Sequence, residues 1–482
     1  MDKKLIASVV AEVLGKLQES GANPPVSSPV APSSSSTTRR MGVFETAEEA
    51  ACAARDGHEQ LRAKGVATRA EIVSLVKEIC DEKAVEWGRL EFAETKIGRL
   101  DHKIEKLQIV KLVPGVEWLA PYGMSGSHGI TLEEYAPFGV IAGITPMTHS
   151  IPTIAGNIVS MVSAGNGIVF NAHPGGAKCA ADAIAFFNEA IHRKTGIRNL
   201  ITIIEKPSIE SFNALCASGN VDLLSVTGGP AVVAAAMKSG KRAICAGPGN
   251  PPVVVDETAD LDFAARAIIQ GGAYDNNLLC VGEKQVIVVD KVYKPFLEAF
   301  QRAGAYLLNN HQIRRLADEV FTDKPDAAGC SHPVLNRDYV GKDAAAIAKV
   351  AGVSCSEKTP VLAAECSMSC PFVQEEQMMP VLPVVRAKDV REAVEFAYQS
   401  EHQYRHSAIM HSKNLDSLTL MGRRMDCTLF VKNGPSVAGL GLGGEGYLNY
   451  SIATTTGEGI VNTLTFTRKR RCVMVDQLNI IG

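Results

Sequence analysis

One cysteine, Cys280, stands in a setting that suits chemistry better than packing. The amides Asn276 and Asn277 precede it, and the charged pair Glu283 and Lys284 follows it. A cysteine that only fills a core needs apolar neighbours, so this polar segment argues against that default, which we expect for the other cysteines. A thiol has a pKa of about 8.5 in water and attacks a carbonyl carbon as the thiolate. We therefore interpret Cys280 as a nucleophile whose surroundings, through helix and backbone dipoles, favour the thiolate.

Two short segments have the composition of turns that bind phosphate. The first, Thr227-Gly228-Gly229-Pro230, follows the apolar run Leu223–Val226 and precedes a predicted helix over Ala231–Lys238. A strand, a glycine turn and a helix N-terminus present backbone N–H groups to an anion in that order. The second is 171–176, Asn-Ala-His-Pro-Gly-Gly, whose glycines let backbone approach a ligand. His173 within it either caps a helix or lies near a nucleotide phosphate.

A glycine pattern of the form G-x-G-x-x-G occurs at Gly439, Gly441 and Gly444. The pattern indicates dinucleotide binding only where it opens a helix. Here it leads into Tyr447–Thr455, which reads as a strand. We therefore expect a tight loop that packs near a site.

The elements that position these residues are predicted to alternate. After Met41, helical stretches alternate with short β-branched runs, which predicts α/β architecture built on parallel sheets. Residues 45–112 are rich in charged residues and alanine and should be helical. The predicted strands are Val140–Ile144, Gly167–Asn171, Leu200–Glu205, Leu223–Val226, Val253–Val255 and Gln285–Val289. The first four fit one half of a dinucleotide-binding domain.

The N-terminal segment differs in composition from the rest of the chain. Residues 1–20 place Leu and Val side chains on one helical face, whereas residues 21–38 are rich in Pro, Ser, Gly and Thr and predict a linker. An isolated helix this short is marginally stable, so its apolar face needs a partner. Folding back on its own domain is the alternative, but the tether favours another molecule.

The composition of the whole chain excludes several classes of function. Its 482 residues, 46% of them hydrophobic, can bury two or three cores. With 49 basic and 52 acidic residues the net charge is −3, which disfavours a nucleic-acid partner. Membrane-spanning and signal-peptide patterns are lacking, so we expect a cytosolic protein with no membrane partner. The twelve cysteines should be thiols. Cys366 and Cys370 lack further zinc ligands nearby, so we expect no metal.

Two segments around Cys280 resemble the cysteine region of the aldehyde dehydrogenase superfamily. They are Tyr274-Asp275-Asn276-Asn277-Leu278-Leu279-Cys280 and the stretch GNPPVVVDETADL over 249–261. Three later segments resemble the CoA-acylating propionaldehyde and acetaldehyde dehydrogenases of bacterial microcompartments, namely EQMMPVLP over 376–383, FVKNGP over 430–435 and TGEG over 456–459. The resemblance runs from about Met41 to the end of the chain. The N-terminal segment is similar to that group's encapsulation peptides.

This resemblance implies roles for particular residues. Cys280 would be the nucleophile, Glu376 would hold the nicotinamide ribose, and the turn at 227–229 would lie under the pyrophosphate. Ala246 matches the position at which hydrolytic members carry a glutamate that activates water. Without that base an acyl-enzyme waits for a thiol, which favours coenzyme A as acceptor. The residues implied to contact the cofactor are Thr145, Pro146, Asn171, His173, Pro174, Thr227, Gly228, Gly229, Ala246, Gly247 and Glu376.

The chain departs from its relatives at Pro146-Met147-Thr148-His149-Ser150, where they typically read Pro-x-Thr-Asn-Pro. With Thr148 beside it, His149 either donates a hydrogen bond to the oxyanion or helps the thiol of coenzyme A lose its proton. Alternatively it only shapes the pocket, and the backbone N–H of Cys280 is the main oxyanion donor. The amino-acid sequence of residues 148–153 is similar to that of enzymes from glycyl-radical propanediol microcompartments, which favours propionaldehyde as the substrate.

The same resemblance implies an aldehyde dehydrogenase fold, with a Rossmann-like NAD-binding domain, an α/β catalytic domain and a small β oligomerisation extension. The expected parts are an encapsulation helix over 1–20, a disordered linker over 21–40, an NAD/CoA-binding domain over 41–251, a catalytic thiol domain over 252–440, and a return to the cofactor domain over 441–482. Part of 120–140 should belong to the extension. The strand-like run Cys472–Ile481 should contribute to the interface of a homodimer or homotetramer.

The implied reaction oxidises a short-chain aldehyde to its acyl-CoA with NAD and coenzyme A, through a thioester on Cys280. The implied location is a microcompartment in the bacterial cytoplasm, with residues 1–20 bound to a shell protein. The sequence leaves two alternative functions open. Ala246 weighs against a hydrolytic NAD-dependent dehydrogenase, and the Cys280 segment weighs against a non-catalytic scaffold protein.

Overall fold

The computed structural model describes residues 40–325, 331–478 and 480. The helix predicted over 1–20 lies outside these residues, and so does the predicted linker up to residue 39. The helices are, in chain order, α1 (Ala47–Glu82), α2 (Ala84–Thr95), α3 (Leu100–Gln108), α4 (Ser150–Ser163), α5 (Ala177–Thr195), α6 (Ile209–Ala217), α7 (Pro230–Lys238), α8 (Leu261–Gly272), α9 (Tyr293–Arg302), α10 (Asn310–Val320), α11 (Ala344–Val350), α12 (Pro371–Gln374), α13 (Val390–Ser400) and α14 (Leu415–Met425).

The strands are β1 (Val43–Phe44), β2 (Tyr122–Gly126), β3 (Gly129–Pro137), β4 (Val140–Thr145), β5 (Gly167–Ala172), β6 (Ile201–Ile204), β7 (Leu223–Thr227), β8 (Ala243–Ala246), β9 (Pro252–Val255), β10 (Gln285–Val289), β11 (Tyr306–Leu308), β12 (Phe321–Pro325), β13 (Ser331–Leu335), β14 (Leu362–Glu365), β15 (Val381–Ala387), β16 (Ser407–His411), β17 (Leu429–Lys432), β18 (Ile452–Ala453), β19 (Gly459–Ile460) and β20 (Thr467–Val475). All six strands predicted from the sequence are confirmed, and so is the mostly helical character of 45–112. The predicted α/β architecture with parallel sheets is confirmed as well.

The first sheet is parallel and has the strand order β1-β6-β5-β4-β7-β8. The chain runs outward from β4 through β5 to β6 and then returns to the other side of β4 with β7 and β8. The order therefore reverses between β4 and β7, and open α/β sheets bind ligands beyond the carboxyl ends of the strands at such a point. The register pairs Ile144 of β4 with Asn171 of β5 and with Val226 of β7, so these carboxyl ends lie side by side.

Both faces of the first sheet are covered, which explains its nearly unbroken apolar strands. Ile141 and Ile168 pack with helices α1, α4 and α5 on one face. Val140 and Ala142 point the other way and pack with α6 and α7. Each aliphatic side chain that is fully buried contributes about 1.5–3 kcal/mol, so this alternation fixes which face each strand residue takes.

The second sheet is also parallel and has the order β11-β14-β15-β10-β9-β16-β17. Val253 and Val286 pack with α8 and α9 on one face, and Val254 and Ile287 pack with α13 and α14 on the other. The chain passes from the first sheet to the second through residues 247–251, between β8 and β9.

A small antiparallel sheet, β2-β3-β20, includes part of the segment expected in an extension. β20 pairs with β3 from Thr467 opposite Pro137 to Val475 opposite Gly129. The strand predicted over Cys472–Ile481 was therefore wrong in its bounds. Four consecutive basic residues open β20 after Thr467; such charges suit an exposed strand at a sheet edge, and an apolar pattern does not detect them.

The strand predicted over Tyr447–Thr455 was also wrong, because only Ile452–Ala453 forms strand structure there. Leu448 and Tyr450 are buried, and the Tyr450 hydroxyl donates to the carbonyl of Lys106 at 2.9 Å. The apolar alternation in this segment therefore arises from packing of irregular backbone, which has the same period as a strand.

None of the helices in the described part of the chain is long and apolar enough to cross a membrane. Within the same residues there is no group of three or more His, Cys, Asp or Glu side chains that could bind a metal ion. The cysteines that the structure describes are all free thiols, as predicted.

Four buried charges connect distant segments of the chain, and we call them the ion cluster: Glu91, Lys103, Lys106 and Asp275. Lys103 Nζ donates to Glu91 Oε1 at 2.9 Å and lies 3.7 Å from Asp275 Oδ2. Lys106 Nζ bonds the same Asp275 oxygen. Burial opposes ionisation of Asp275, but Lys106 and Lys103 bring its pKa below the ordinary value. The ion cluster thus joins α2 and α3 to the segment that leads to Cys280.

Lys106→Met tests the contribution of the ion cluster to stability. The variant leaves Lys103 as the remaining lysine of the cluster beside Asp275. Removing one partner of a buried ion pair costs about 3–5 kcal/mol, so we expect a lower urea midpoint of unfolding. Lys111→Met, at an exposed position after α3, is the control and should change the free energy of unfolding by less than about 0.5 kcal/mol. Equal midpoints in the two variants would contradict a stabilising role.

Candidate active site

The structure brings most of the predicted cofactor residues to one edge of the first sheet. Thr145 is the last residue of β4, and Pro146 follows it. Residues 171–174 span the end of β5, residues 227–229 begin at the last residue of β7, and residues 246–247 begin at the last residue of β8. Backbone hydrogen bonds tie these ends together: the N–H of His173 donates to Thr145 O at 2.9 Å, and that of Gly228 donates to Ala246 O at 3.1 Å. The grouping lies at the reversal point of the strand order.

Two features at this edge are suited to a ligand with phosphate and hydroxyl groups. The Thr145 hydroxyl is buried and has no hydrogen-bond partner among the described residues. Helix α7 begins at Pro230 after Gly229, and no side chain in the described structure caps it by a hydrogen bond. Its first turn therefore offers backbone N–H groups to an anion. The Thr227 hydroxyl is already engaged, 2.6 Å from Ser451 Oγ.

Two predicted residues at the end of β5 have local partners. Asn171 accepts a hydrogen bond from Ser211 Oγ at 2.7 Å and donates to Ser208 O at 3.4 Å, which fastens it to the start of α6. His173 accepts a hydrogen bond at Nδ1 from the N–H of Gly175, at 3.0 Å. It caps the short 3-10 helix Pro174–Gly176, and a place near a nucleotide phosphate stays a prediction for this residue.

The segment before Cys280 has an uncommon backbone. Asp275, Asn276 and Asn277 have φ values of 48°, 55° and 64°. Among residues other than glycine, Asn and Asp tolerate this left-handed region best, which explains the residue types at these positions. We call the segment Asp275–Leu279 the thiol turn, because it leads directly to Cys280.

Side chains hold the thiol turn in this conformation. Asp275 accepts from the N–H of Arg99 at 2.7 Å. The Asn276 amide donates to Gly341 O at 2.9 Å. The Asn277 amide donates to Glu283 O at 2.8 Å. Each link joins the turn to a different part of the chain, so the position of Cys280 depends on several elements at once.

The charged pair that follows Cys280 is completely buried. Glu283 accepts from both the N–H and the hydroxyl of Ser436, each at 2.7 Å, and burial raises its pKa to about 7. Ser436 begins the 3-10 helix Ser436–Leu440, whose end overlaps the glycine pattern that starts at Gly439 and was expected to form a tight loop near a site. Lys284 donates to Asn277 O at 2.7 Å and to Leu279 O at 3.2 Å.

The Cys280 thiol is half-buried. Burial, and then the charge of Glu376, raise its pKa to about 12. The charge of Lys284 and the N–H groups of Cys280 and Val281 act in the opposite direction. The expected backbone dipoles are therefore present but outweighed, and the group is a thiol at neutral pH in this state.

Two residues near Cys280 complete the arrangement. Glu376 is half-buried, and burial raises its pKa while Lys284 and the N–H of Gly249 lower it. A Cβ atom at Gly249 would lie 2.8 Å from Cys280 O and 2.9 Å from His406 Cγ, so only glycine fits between them. The backbone at Gly249 therefore separates the imidazole from the cysteine by a single layer of atoms.

No pattern in the sequence singled out His406. Its ring is fully buried, its Nδ1 lies 2.8 Å from Ser407 Oγ, and its Nε2 has no partner among the described residues. Burial and the charge of Lys284 lower its pKa to about 4, so the ring is neutral at neutral pH. It lies far from Cys280 in sequence, and no spacing pattern connects the two; the tertiary fold alone brings them together.

Thr148 and His149 lie beside the ion cluster. Lys103 donates to Thr148 O at 2.5 Å, and the Thr148 hydroxyl is 3.4 Å from His149 Nε2. The ring of His149 is buried 5.5 Å from that of Tyr450, and burial followed by the charge of Lys106 holds its pKa well below the ordinary range. These contacts favour the alternative that His149 shapes the pocket, and its catalytic role stays a prediction.

Comparisons with known proteins agree with this architecture. The profile of the aldehyde dehydrogenase family matches residues 18–318. The acetylating acetaldehyde dehydrogenase EutE of Salmonella typhimurium is 41% identical over 483 residues, which cover 100% of both chains.

Two solved structures are also close. A propionaldehyde dehydrogenase from the fucose utilisation microcompartment of Clostridium phytofermentans matches with a TM-score of 0.87 and 39% identity, over 91% of this chain and 100% of that one. The propionaldehyde dehydrogenase of Rhodopseudomonas palustris with bound propionyl-CoA matches with a TM-score of 0.87 and 40% identity, over 94% of this chain and 100% of that one. The chain therefore belongs to the aldehyde dehydrogenase family.

Proposed function

We propose that this protein oxidises a short-chain aldehyde to its acyl-CoA, with NAD as hydride acceptor and coenzyme A as acyl acceptor. The observation that carries the proposal is Cys280, a half-buried residue that the thiol turn holds within the field of Glu376. Relatives along the whole chain are named as acetylating or propionaldehyde enzymes, and one of them holds propionyl-CoA. Propionaldehyde is the proposed substrate, because residues 148–153 resemble those of enzymes from propanediol microcompartments. Acetaldehyde is the alternative.

The residues at the carboxyl edge of the first sheet fit a dinucleotide. The open first turn of α7 suits a pyrophosphate, and the unpartnered Thr145 hydroxyl suits a hydrogen-bonding group of the ligand. Glu376 would hold the nicotinamide ribose. When bound, NAD supplies the acceptor for the hydride. The positive charge of the oxidised nicotinamide would also favour the Cys280 thiolate, against the burial that raises the pKa of that thiol.

Cys280 then performs two transfers. Its sulfur bonds the aldehyde carbon, and the negative charge that develops on oxygen is stabilised by the N–H of Cys280. Loss of hydride from that carbon leaves a thioester on Cys280. The sulfur of coenzyme A attacks the same carbon, and Cys280 leaves as a thiolate. The proton of the incoming thiol needs an acceptor, and we propose the neutral imidazole of His406, whose Nε2 has no partner among the described residues and which lies across the Gly249 backbone from Cys280.

Ala246 supports transfer to a thiol in preference to water. It ends β8 as a buried methyl group, where the hydrolytic members that this chain resembles carry a glutamate. A methyl group cannot take a proton from water, so the thioester persists until coenzyme A enters.

NADH formation from propionaldehyde tests the reaction, measured with and without coenzyme A for the wild type, Cys280→Ala and Cys427→Ala. We expect turnover that requires coenzyme A and falls by roughly a thousandfold or more in Cys280→Ala. Cys427 is likewise half-buried and serves as the control, with activity close to the wild type. Undiminished turnover without coenzyme A would instead identify a hydrolytic enzyme.

We further propose a homodimer or homotetramer that forms through the sheet β2-β3-β20. β20 is an edge strand, and its end leaves Val473 and Val475 exposed by 55% and 64%. An exposed edge that carries apolar residues is a site for pairing with another chain.

Val473→Asp tests this interface by sedimentation at micromolar concentration. A charge at a buried apolar contact is costly, so we expect a shift toward the monomer. Ile209→Asp, at a position exposed by 75% on α6, is the control and should keep the oligomer. An unchanged oligomer in Val473→Asp would contradict the assignment of the interface to β20.

The proposed location is a microcompartment of the bacterial cytoplasm, with residues 1–20 bound to a shell protein. The support is the apolar face in the sequence and the microcompartment origin of a relative.

Deletion of residues 1–20 tests this docking in cells that express the shell. We expect the enzyme to keep its activity in solution but to be lost from purified shells, because the apolar face supplies the contact. Lys16→Ala, on the polar face, should be retained as in the wild type. Equal recovery of the deletion variant with shells would rule out docking by this segment.

A further inference from the structure

Lys284 is a buried cation that contacts the thiol turn. Its side chain is fully buried immediately before β10. Its ammonium donates to Asn277 O at 2.7 Å and to Leu279 O at 3.2 Å, and it also bonds Asn277 Oδ1. An ammonium has three N–H groups, so its donors are all used by atoms of the turn that precedes Cys280.

These contacts determine the direction of one peptide group. The carbonyl of Leu279 and the N–H of Cys280 belong to the same planar trans peptide, in which they point in opposite directions. Because Lys284 holds the Leu279 oxygen on its own side, the Cys280 N–H is directed away from the ammonium. In this structure the same N–H lowers the pKa of the Cys280 thiol, so it lies close to the sulfur that would bond the reacting carbon.

The charge of Lys284 acts on the reactive groups around it. Burial lowers the pKa of Lys284 itself, whereas Glu376, Cys280 and Glu283, the groups that face it, act to raise it; His406 also lies within its field. It favours the ionised forms of Cys280 and Glu376 against burial, and it disfavours protonation of His406. A neutral side chain of the same volume could fill the space, but it could not have these effects.

We propose, on the basis of the function proposed above, that Lys284 is a positioning residue for acyl transfer. It aims the N–H of Cys280 at the oxygen of the reacting carbonyl and supplies the positive charge that stabilises the Cys280 thiolate. The aiming of the N–H and the supply of positive charge can be tested separately, because the charge of Lys284 can be removed with or without its hydrogen-bond donors.

The test uses the full-length variants Lys284→Gln, which keeps an N–H donor without the charge, and Lys284→Met, which keeps neither. Alkylation of Cys280 by iodoacetamide is followed between pH 6 and pH 10, with the Cys280 peptide quantified by mass spectrometry. We expect both variants to need a pH higher by about one unit for the same rate, which is a tenfold slower reaction at fixed pH. The rate rises with pH in every case, because the thiolate is the reactive form.

The second readout is kcat in the reaction with coenzyme A. Loss of one oxyanion donor lowers kcat by about 100-fold to 1,000-fold, so we expect that loss in Lys284→Met and a smaller one in Lys284→Gln, with KM for the aldehyde little changed. Gln377→Leu is the matched control. Gln377 is buried and neutral, and donates to Lys284 O at 2.9 Å and Val381 O at 2.8 Å. Its removal should leave the alkylation profile at the wild-type position.

An alkylation profile that is unchanged in the folded Lys284 variants would overturn the proposal. So would failure of both variants to fold while Gln377→Leu folds, because Lys284 would then serve the fold alone. Alkylation requires neither aldehyde nor NAD nor coenzyme A. A wild type that lacks turnover dependent on coenzyme A would therefore overturn the proposed function, whereas the alkylation profiles would still decide the role of Lys284.

Discussion

Two buried lysines form ion pairs with the carboxylate of Asp275, and the arrangement of the site depends on these ion pairs. Lys103 and Lys106 extend from α3, and Asp275 opens the thiol turn in a left-handed conformation. A charge removed from water is tolerated only with a partner in place, so the carboxylate cannot leave the lysines without a large cost. Lys103 also donates to Thr148 O, which ties the loop after β4 to the same point. The ion cluster therefore fixes the distance between the carboxyl edge of the first sheet and Cys280.

The second buried cation has a different effect because its partners differ. Lys106 bonds a carboxylate directly, whereas the hydrogen bonds of Lys284 go to two backbone carbonyls and an amide oxygen, and its charge acts on Glu376, Cys280 and Glu283 without a direct bond to them. That field opposes the burial and the Glu376 charge that hold Cys280 as a thiol. Burial thus keeps Cys280 protonated, and a protonated thiol reacts slowly with oxidants and alkylating agents because the thiolate is the reactive form.

The sequence was sufficient where local patterns decide the structure. Buried parallel strands such as β4 and β5 are unbroken apolar runs, so the strands could be predicted. The turns that follow them contain glycine and proline, so the predicted cofactor residues at the carboxyl edge of the first sheet could be named as well. It failed at Tyr447–Thr455, where irregular backbone packs apolar side chains at the spacing of a strand. It also missed His406, because nothing local distinguishes a histidine that a distant fold brings beside Cys280. Lys284 was noticed only as a polar neighbour, since its hydrogen bonds follow from the left-handed turn.

The choice between thiol and water as acyl acceptor depends on which acids and bases surround β8. Ala246 offers no base, and its carbonyl oxygen already accepts the N–H of Gly228. Glu458 brings a carboxylate near this strand end, but it is bonded by the hydroxyl of Thr456, whose oxygen in turn accepts the N–H of Cys245 at 2.9 Å. One oxygen of that carboxylate is therefore engaged with a hydroxyl that is itself bonded to the backbone of β8. The segment TGEG over 456–459, which resembles acylating enzymes, is thus bonded to β8 beside Ala246, the residue on which the proposed preference for a thiol depends.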